Sequence, residues 1–301
     1  MYKSLLFGLF FTSLTAGANQ VGVDNFVPKN NKRSFTEQAS PTVLIDQAHY
    51  NFHTMEQRYK PFAKILRSDG YTVRKNTELF SAATLKEADI LVISNALNKK
   101  NVKQWSLPNY PAFNRDEVEA VYHWVKQGGS LFLIADHMPF PKAAAPLANI
   151  FGFQFNNGYV EDLKNKQQIF SLSKGNLVNH SILKGRDTAE QVNAIRTFTG
   201  QAFLSPPAAK PLLTFNSSAT SLMPKRSWKF LDDTPEISVD GWHQGATLEF
   251  GKGRIVVFGE AAMFTAQKNR NNDWSMGVSA KGAEQNEQFL LNIMHWLSRE
   301  I

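Results

Sequence analysis

Gly128-Gly129-Ser130-Leu131-Phe132-Leu133-Ile134-Ala135-Asp136-His137 is the stretch from which the rest of the chain can be laid out. Two glycines of the kind that stop a helix are followed at once by an unbroken apolar run, and the run ends in an acid and an imidazole. A short apolar run bounded by turn residues predicts a strand, Ser130 to Ala135, buried on both faces. Just upstream, Asn114 with Glu117 three residues later predicts a capped helix whose stripe is Val118, Val121, Tyr122 and Val125. Helix, tight stop and buried strand in quick succession are the repeat of a parallel sheet covered on both faces.

The same pattern recurs on either side. Thr42 to Ile45 runs into Asp46 and His49, and Asp89 to Ile93 runs into Ser94 and Asn95. Arg254 to Phe258 runs through Gly259 into Glu260, entered by a hairpin from Thr247-Leu248-Glu249-Phe250 across Gly251-Lys252-Gly253. Tyr71 to Arg74 predicts a further short strand, and Leu85 to Ala88 a helical turn. Thr54 with Gln57 reads as a capping box opening a helix with Tyr59, Phe62, Ile65 and Leu66 inward and Gly70 at its end. Asn286 to Arg299 predicts a closing amphipathic helix. Between about 156 and 247 the rhythm breaks: Pro206-Pro207, Pro211, Pro224 and Pro235 predict an irregular and antiparallel insertion, acting as a cap over the sheet edge.

Lys3, the apolar Leu5 to Leu14 and Ala16-Gly17-Ala18 form the pattern of a signal peptide over residues 1–18, so the chain is expected to be exported, periplasmic or secreted. That apolar stretch is short of the ~20 residues a bilayer requires, and no later run is long enough either. Residues 19–41 read as a flexible leader, and 42–301 as one α/β domain carrying the insertion. The formal net charge is +7, with dispersed lysines and no basic stripe interleaved with aromatics, which argues against nucleic-acid binding. There is no Cys, which excludes disulfides, thiolate metal sites and a cysteine nucleophile.

Ligands of open α/β sheets bind outside the carboxyl ends of the strands, so one sheet gathers Asp46, His49, Asn95, Asp136, His137 and Glu260 along one edge. Asp136 and His137 are the strongest pair, able to ligate a metal or to divide base and positioning roles; the plainer alternative is a turn cap and a ring packed under Phe140. Glu260 is expected to support an imidazole or to act as a helix-terminal acid. Asp46, His49 and His53 offer three donors within eight residues, and with the carboxylates they suggest Zn²⁺ or Mn²⁺ at Asp46 and His49. Asn95, Thr199, Gln201 and His243 are candidate substrate-binding groups, while His123, His180 and His295 read as surface or structural residues. There is no Gly-x-Ser-x-Gly elbow, no P-loop and no Gly-x-Gly-x-x-Gly after the first strand.

Val43-Leu44-Ile45-Asp46-Gln47-Ala48-His49, the 128–137 stretch, Gly251 to Glu260 and the closing helix together resemble class I glutamine amidotransferase-like domains of uncharacterised bacterial families. The Gly251 to Glu260 stretch is also similar to trehalose-utilisation (ThuA-type) proteins. The resemblance covers roughly 42–155 and 245–299 and implies a flavodoxin-like three-layer α/β sandwich. True amidotransferases use a Cys nucleophile; with no Cys here, glutaminase activity does not carry over. The expectation is therefore a hydrolase-type enzyme acting on a carbohydrate or cell-envelope compound. Its alternative is a non-catalytic module that binds a glycan or a protein.

Overall fold

The computed structural model describes residues 20–271 and 274–301; the expected signal peptide lies outside the described residues. The centre is a nine-stranded, mixed but mostly parallel sheet. Its parallel core comprises β1 (Thr42–Asp46), β2 (Thr72–Asn76), β3 (Ile90–Ser94) and β4 (Ser130–Ile134), followed by β5 (His243–Phe250) and β6 (Gly253–Phe258). Spatially the order is β2-β1-β3-β4-β6-β5, parallel from β2 through β6 and antiparallel from β6 to β5. The chain steps outward from β1 to β2 and then returns to the far side of β1 for β3. This reversal leaves a crevice at the carboxyl ends of β1 and β3.

Alternation along the strands divides the core in two. Val43, Ile45, Val92, Phe132, Val256 and Phe258 meet helix α1 (Lys60–Ser68) and the C-terminal helix Asn286–Leu297 on one face. Leu44, Leu91, Ile93, Leu131, Leu133 and Val257 meet α2 (Arg115–Gln127) and α3 (Phe140–Ile150) on the other. The C-terminal helix is α4. Near-complete apolarity of the strands follows from burial on both faces. The Asn114–Glu117 capping box forms as expected, each side chain bonding the other's backbone N–H.

Three expectations are corrected. Helix α1 begins at Lys60 and not at Thr54; Pro61 sits in the first turn, where its missing N–H costs nothing, whereas it would break a helix begun at Thr54. Residues 20–41 are docked and not a loose leader: Gln20–Gly22 pairs antiparallel with Ala266–Asn269, Phe35 is buried, and Lys29 and Asn30 donate backbone N–H bonds to Glu287. The segment 156–247 is only partly a cap. Phe203–Leu204 and Lys210–Thr214 extend the main sheet beside β5, while Tyr159–Asp162, Ala219–Leu222 and Glu236–Ser238 form a small antiparallel sheet. No helix among the described residues is long and apolar enough to cross a membrane.

Candidate functional site

The carboxyl ends of β1, β3 and β4 open into a cavity of about 60 Å³. Its lining includes Asn95, Asp136, His137 and Thr199, together with His53, Gln267, Phe52, Trp105, Phe198 and Trp228. Asn95 turns the chain out of β3 with φ 50°, a left-handed conformation that Asn tolerates better than most residues. Its Oδ1 accepts the Asp136 N–H at 2.9 Å, tying the end of β3 to the end of β4.

His137 is held by stacking and by one hydrogen bond. Tyr159 lies parallel at 4.4 Å between centroids, and Trp228 meets the ring edge-on at 4.7 Å. Nδ1 is 2.8 Å from the Met138 carbonyl, an acceptor, so Nδ1 carries a proton and donates. In the neutral ring the Nε2 lone pair is then free for a ligand. Tyr159 is fixed in turn, its hydroxyl bonded to Ser227 and to the Met138 carbonyl.

Two buried carboxyls interact here: Asp136, next to His137 and in the cavity lining, and Glu260, which feels the Asp136 charge but lies outside that lining. Asp136 accepts the His137 N–H at 2.8 Å, and burial raises its pKa despite that bond and the neighbouring imidazole. Glu260 is fully buried and accepts N–H bonds from Ala262 at 2.7 Å and Met263 at 2.8 Å. Burial, then the Asp136 charge, pushes Glu260 well above the ordinary carboxyl range, so this acid holds its proton where an exposed glutamate has lost it. Tyr59, also buried, donates to the Ala261 carbonyl at 2.9 Å.

Of the three donors Asp46, His49 and His53, it is His53 that reaches the cavity. Burial, reinforced by the charges of Arg58 and His137, drives its pKa well below 6.5 and keeps it neutral. The Gln267 amide N–H approaches His53 Nε2 at 3.0 Å, leaving the proton on Nδ1 to face Ser94 Oγ at 3.2 Å. Gln267 Oε1 is buried without a partner. A buried acceptor left unpaired costs roughly 1–3 kcal/mol. Thr199 holds φ 93°, a strained backbone for a β-branched residue, pinned by its N–H to Gln168 and its carbonyl to Gln244.

The expected single row of chemistry is thus split. Asp46 and His49 turn away from the cavity into a buried cluster with Glu117: His49 Nδ1 is 2.9 Å from Asp46 and Nε2 is 2.7 Å from Glu117. Both ring nitrogens are committed to carboxylates, so His49 has no lone pair for Zn²⁺ or Mn²⁺. Among the described residues no group of three His, Asp or Glu is arranged to hold a metal. The donor set does not fit the expected ion. Gln201 is buried too, but its amide holds the Ala135 carbonyl and the Asn156 N–H together. His243 bonds Ser205 at 2.7 Å and lies outside the cavity lining. His295, expected at the surface, is buried against Asp69 at 2.7 Å.

Sequence reasoning passed over Trp105, Trp228 and Gln267. The two tryptophans stand in irregular loops without a period, and Gln267 lies on a strand that pairs only with other short strands. Nothing local marked any of them as facing a cavity.

No protein-family model matches this chain, and no curated protein matches it. Among solved structures, the chain is similar to the mmIFT52 N-terminal domain, with a TM-score of 0.59, 15% identity, and coverage of 85% of this chain and 97% of that one. It is also similar to a ThuA-like protein from Bacteroides uniformis (TM-score 0.45, 12% identity, coverage 86% and 92%). A cytoplasmic protein from Salmonella typhimurium matches with a TM-score of 0.48, 14% identity, and coverage of 85% and 99%. At these identities the likeness is one of fold, carried by the first of the three.

Proposed function

We propose that this protein is a hydrolase-type enzyme working by acid–base chemistry in the cavity at the ends of β1, β3 and β4. The observation that carries the reading is His137, its Nδ1–H held by the Met138 carbonyl, next to Asp136 in a buried carboxyl pair in which burial, then the Asp136 charge, raises the pKa of Glu260. Pairs of titratable groups pushed toward different protonation states are the usual mark of an acid–base site. His137 Nε2 takes a proton from an attacking water and delivers it to the leaving group, while Asp136, the carboxyl that lines the cavity, faces the imidazolium that forms in between. Asn95 positions Asp136, and Gln267 Oε1 accepts a hydroxyl or amide N–H of the substrate. The aromatic walls fit the apolar face of a sugar ring, and the small volume admits only the reacting end of a larger glycan or envelope compound. We further infer a flavodoxin-like, three-layer variant of the amidotransferase-like domain without its Cys, supported by the β2-β1-β3-β4-β6 order, in an exported protein.

One observation favours a second reading. Both Glu260 oxygens already accept backbone N–H bonds, so Glu260 also serves as a clamp on residues 261–263, as it would in a non-catalytic glycan- or protein-binding module. Turnover of a panel of p-nitrophenyl glycosides and esters by the full chain separates the two. Loss of about 10²–10⁴-fold in His137→Ala supports the enzyme. Undiminished turnover in that variant removes His137 from the chemistry. Glycan binding with no turnover favours the module.

A further inference from the structure

We propose that two loops at the mouth of the cavity, residues 98–111 and 224–231, form a docking surface for an anionic phospholipid bilayer. The loops are joined backbone to backbone: Leu107 N–H donates to Lys225 O at 2.9 Å, Ser227 N–H donates to Trp105 O at 2.7 Å, and Ser106 bridges Arg226. The first loop is folded back on itself by Asn101, whose amide donates to the carbonyls of Gln104 and Pro108 and accepts the Tyr110 N–H. The loops therefore present one continuous surface.

Six cations lie on it: Lys99, Lys100, Lys103, Lys225, Arg226 and Lys229, all exposed. None of them belongs to an ion pair among the described residues. Lys100 lies over the Tyr110 ring at 4.6 Å. Asp232 and Asp233 follow the second loop, so the cations outnumber the adjoining carboxylates by three to one. Between the cations the loops expose Val102 (40%), Leu107 (52%), Tyr110 (36%), Phe230 (40%) and Leu231 (59%). Basic clusters are drawn to anionic headgroups, and apolar side chains among them bury at the headgroup–acyl boundary. Nucleic acid fits less well, because Val102, Leu107 and Leu231 supply neither phosphate contacts nor stacking platforms. Trp105 and Trp228 stand on the same loops and wall the cavity, so docking sets its mouth against the membrane. The inference stands on the surface alone and does not depend on the acid–base reading.

The test is co-sedimentation of the full chain with phosphatidylglycerol vesicles, with phosphatidylcholine vesicles, and with competing single-stranded DNA. Binding to phosphatidylglycerol in preference to phosphatidylcholine is expected, weakening as salt rises. Lys229→Ala lowers partitioning roughly fivefold. Lys225→Glu with Lys229→Glu lowers it further, and Phe230→Ser with Leu231→Ser weakens the part that survives at high salt. Lys184→Glu, exposed on the single turn Ser181–Lys184 that packs on α4, leaves it unchanged. An unaltered thermal midpoint in each variant shows that the fold is kept. Equal binding to both lipids, no vesicle binding, or indifference to the charge reversals overturns the proposal; tighter retention of DNA overturns it in favour of nucleic acid.

Discussion

His49 Nε2 lies 2.7 Å from Glu117 Oε1, joining the loop after β1 to the first turn of α2 across the buried interior. Asp46 takes the other ring nitrogen, and the bonds and charges of the two acids favour the doubly protonated ring. Removing Glu117 leaves a buried cation short of one partner and also removes the return bond of the capping box. Glu117→Ala is expected to cost about 3–5 kcal/mol, well above the ~1 kcal/mol of a lost cap. Urea unfolding measures it; a loss near 1 kcal/mol means that the ion pair adds little.

Buried groups with raised pKa values, His49 and Glu260 among them, weaken the fold as alkali is added. Burial works against the His49 charge, but the bonds and charges of Asp46 and Glu117 outweigh it and raise the pKa above 6.5. Glu260 is raised well above 4.5. Both bind a proton more tightly when folded, so their stabilisation is complete below the unfolded values and fades as pH climbs toward the folded ones. Each contributes a slope of up to about 1.4 kcal/mol per pH unit. Asp136→Asn removes the charge that presses on Glu260 together with Asp136's own raised carboxyl, so the variant's stability should fall less steeply above pH 4.5. An identical slope would mean that neither buried carboxyl sets the response to alkali.

His180 behaves oppositely. Burial, then the Lys210 charge, lowers its pKa to about 4, and its Nδ1 accepts the Ile182 N–H. The neutral ring stabilises the fold above 6.5, and that contribution is lost as pH falls through about 4. The ring protons of His180 should inflect near 4 in an NMR titration, whereas inflection near 6.5 contradicts the assigned burial.

Thr199 offers a test of strain. Thr199→Gly relieves the φ 93° backbone without deleting the bonds made by its N–H and carbonyl, and a gain of about 1 kcal/mol is expected. Gly200→Ala next to it should destabilise, because a new Cβ would stand 2.2 Å from the Gly259 carbonyl. Thermal unfolding of both variants decides the point.

The parallel strands were legible because burial on both faces leaves an apolar run that needs no partner to be seen. The 128–137 stretch and the Gly251–Gly253 hairpin stand almost where the pattern put them. Helix α3 went unseen because Pro139 at its N-cap and Pro141 in its first turn, positions where proline is tolerated, are also loop-favouring residues, and Pro146 interrupts its interior. Within the site, Asp136, His137 and Asn95 were visible as strand-end residues. Whether Asp46 and His49 faced the crevice turned on Glu117, far along the chain, whose cap signature gave no sign of its second partner. Trp228 reaches His137 through a loop with no local signal at all.

The pairing of Gln20–Gly22 with the strand that carries Gln267 has a practical side. Gln20 itself is among the residues around the cavity. An affinity handle fused just ahead of it would begin at the rim of the pocket, and anything bulky there would crowd the compounds used to search for activity. A label at the other terminus avoids this, since Ile301 borders a separate hollow with Arg254 and Trp296. A screen that finds nothing with an amino-terminal fusion should be repeated with the tag moved before any compound class is set aside.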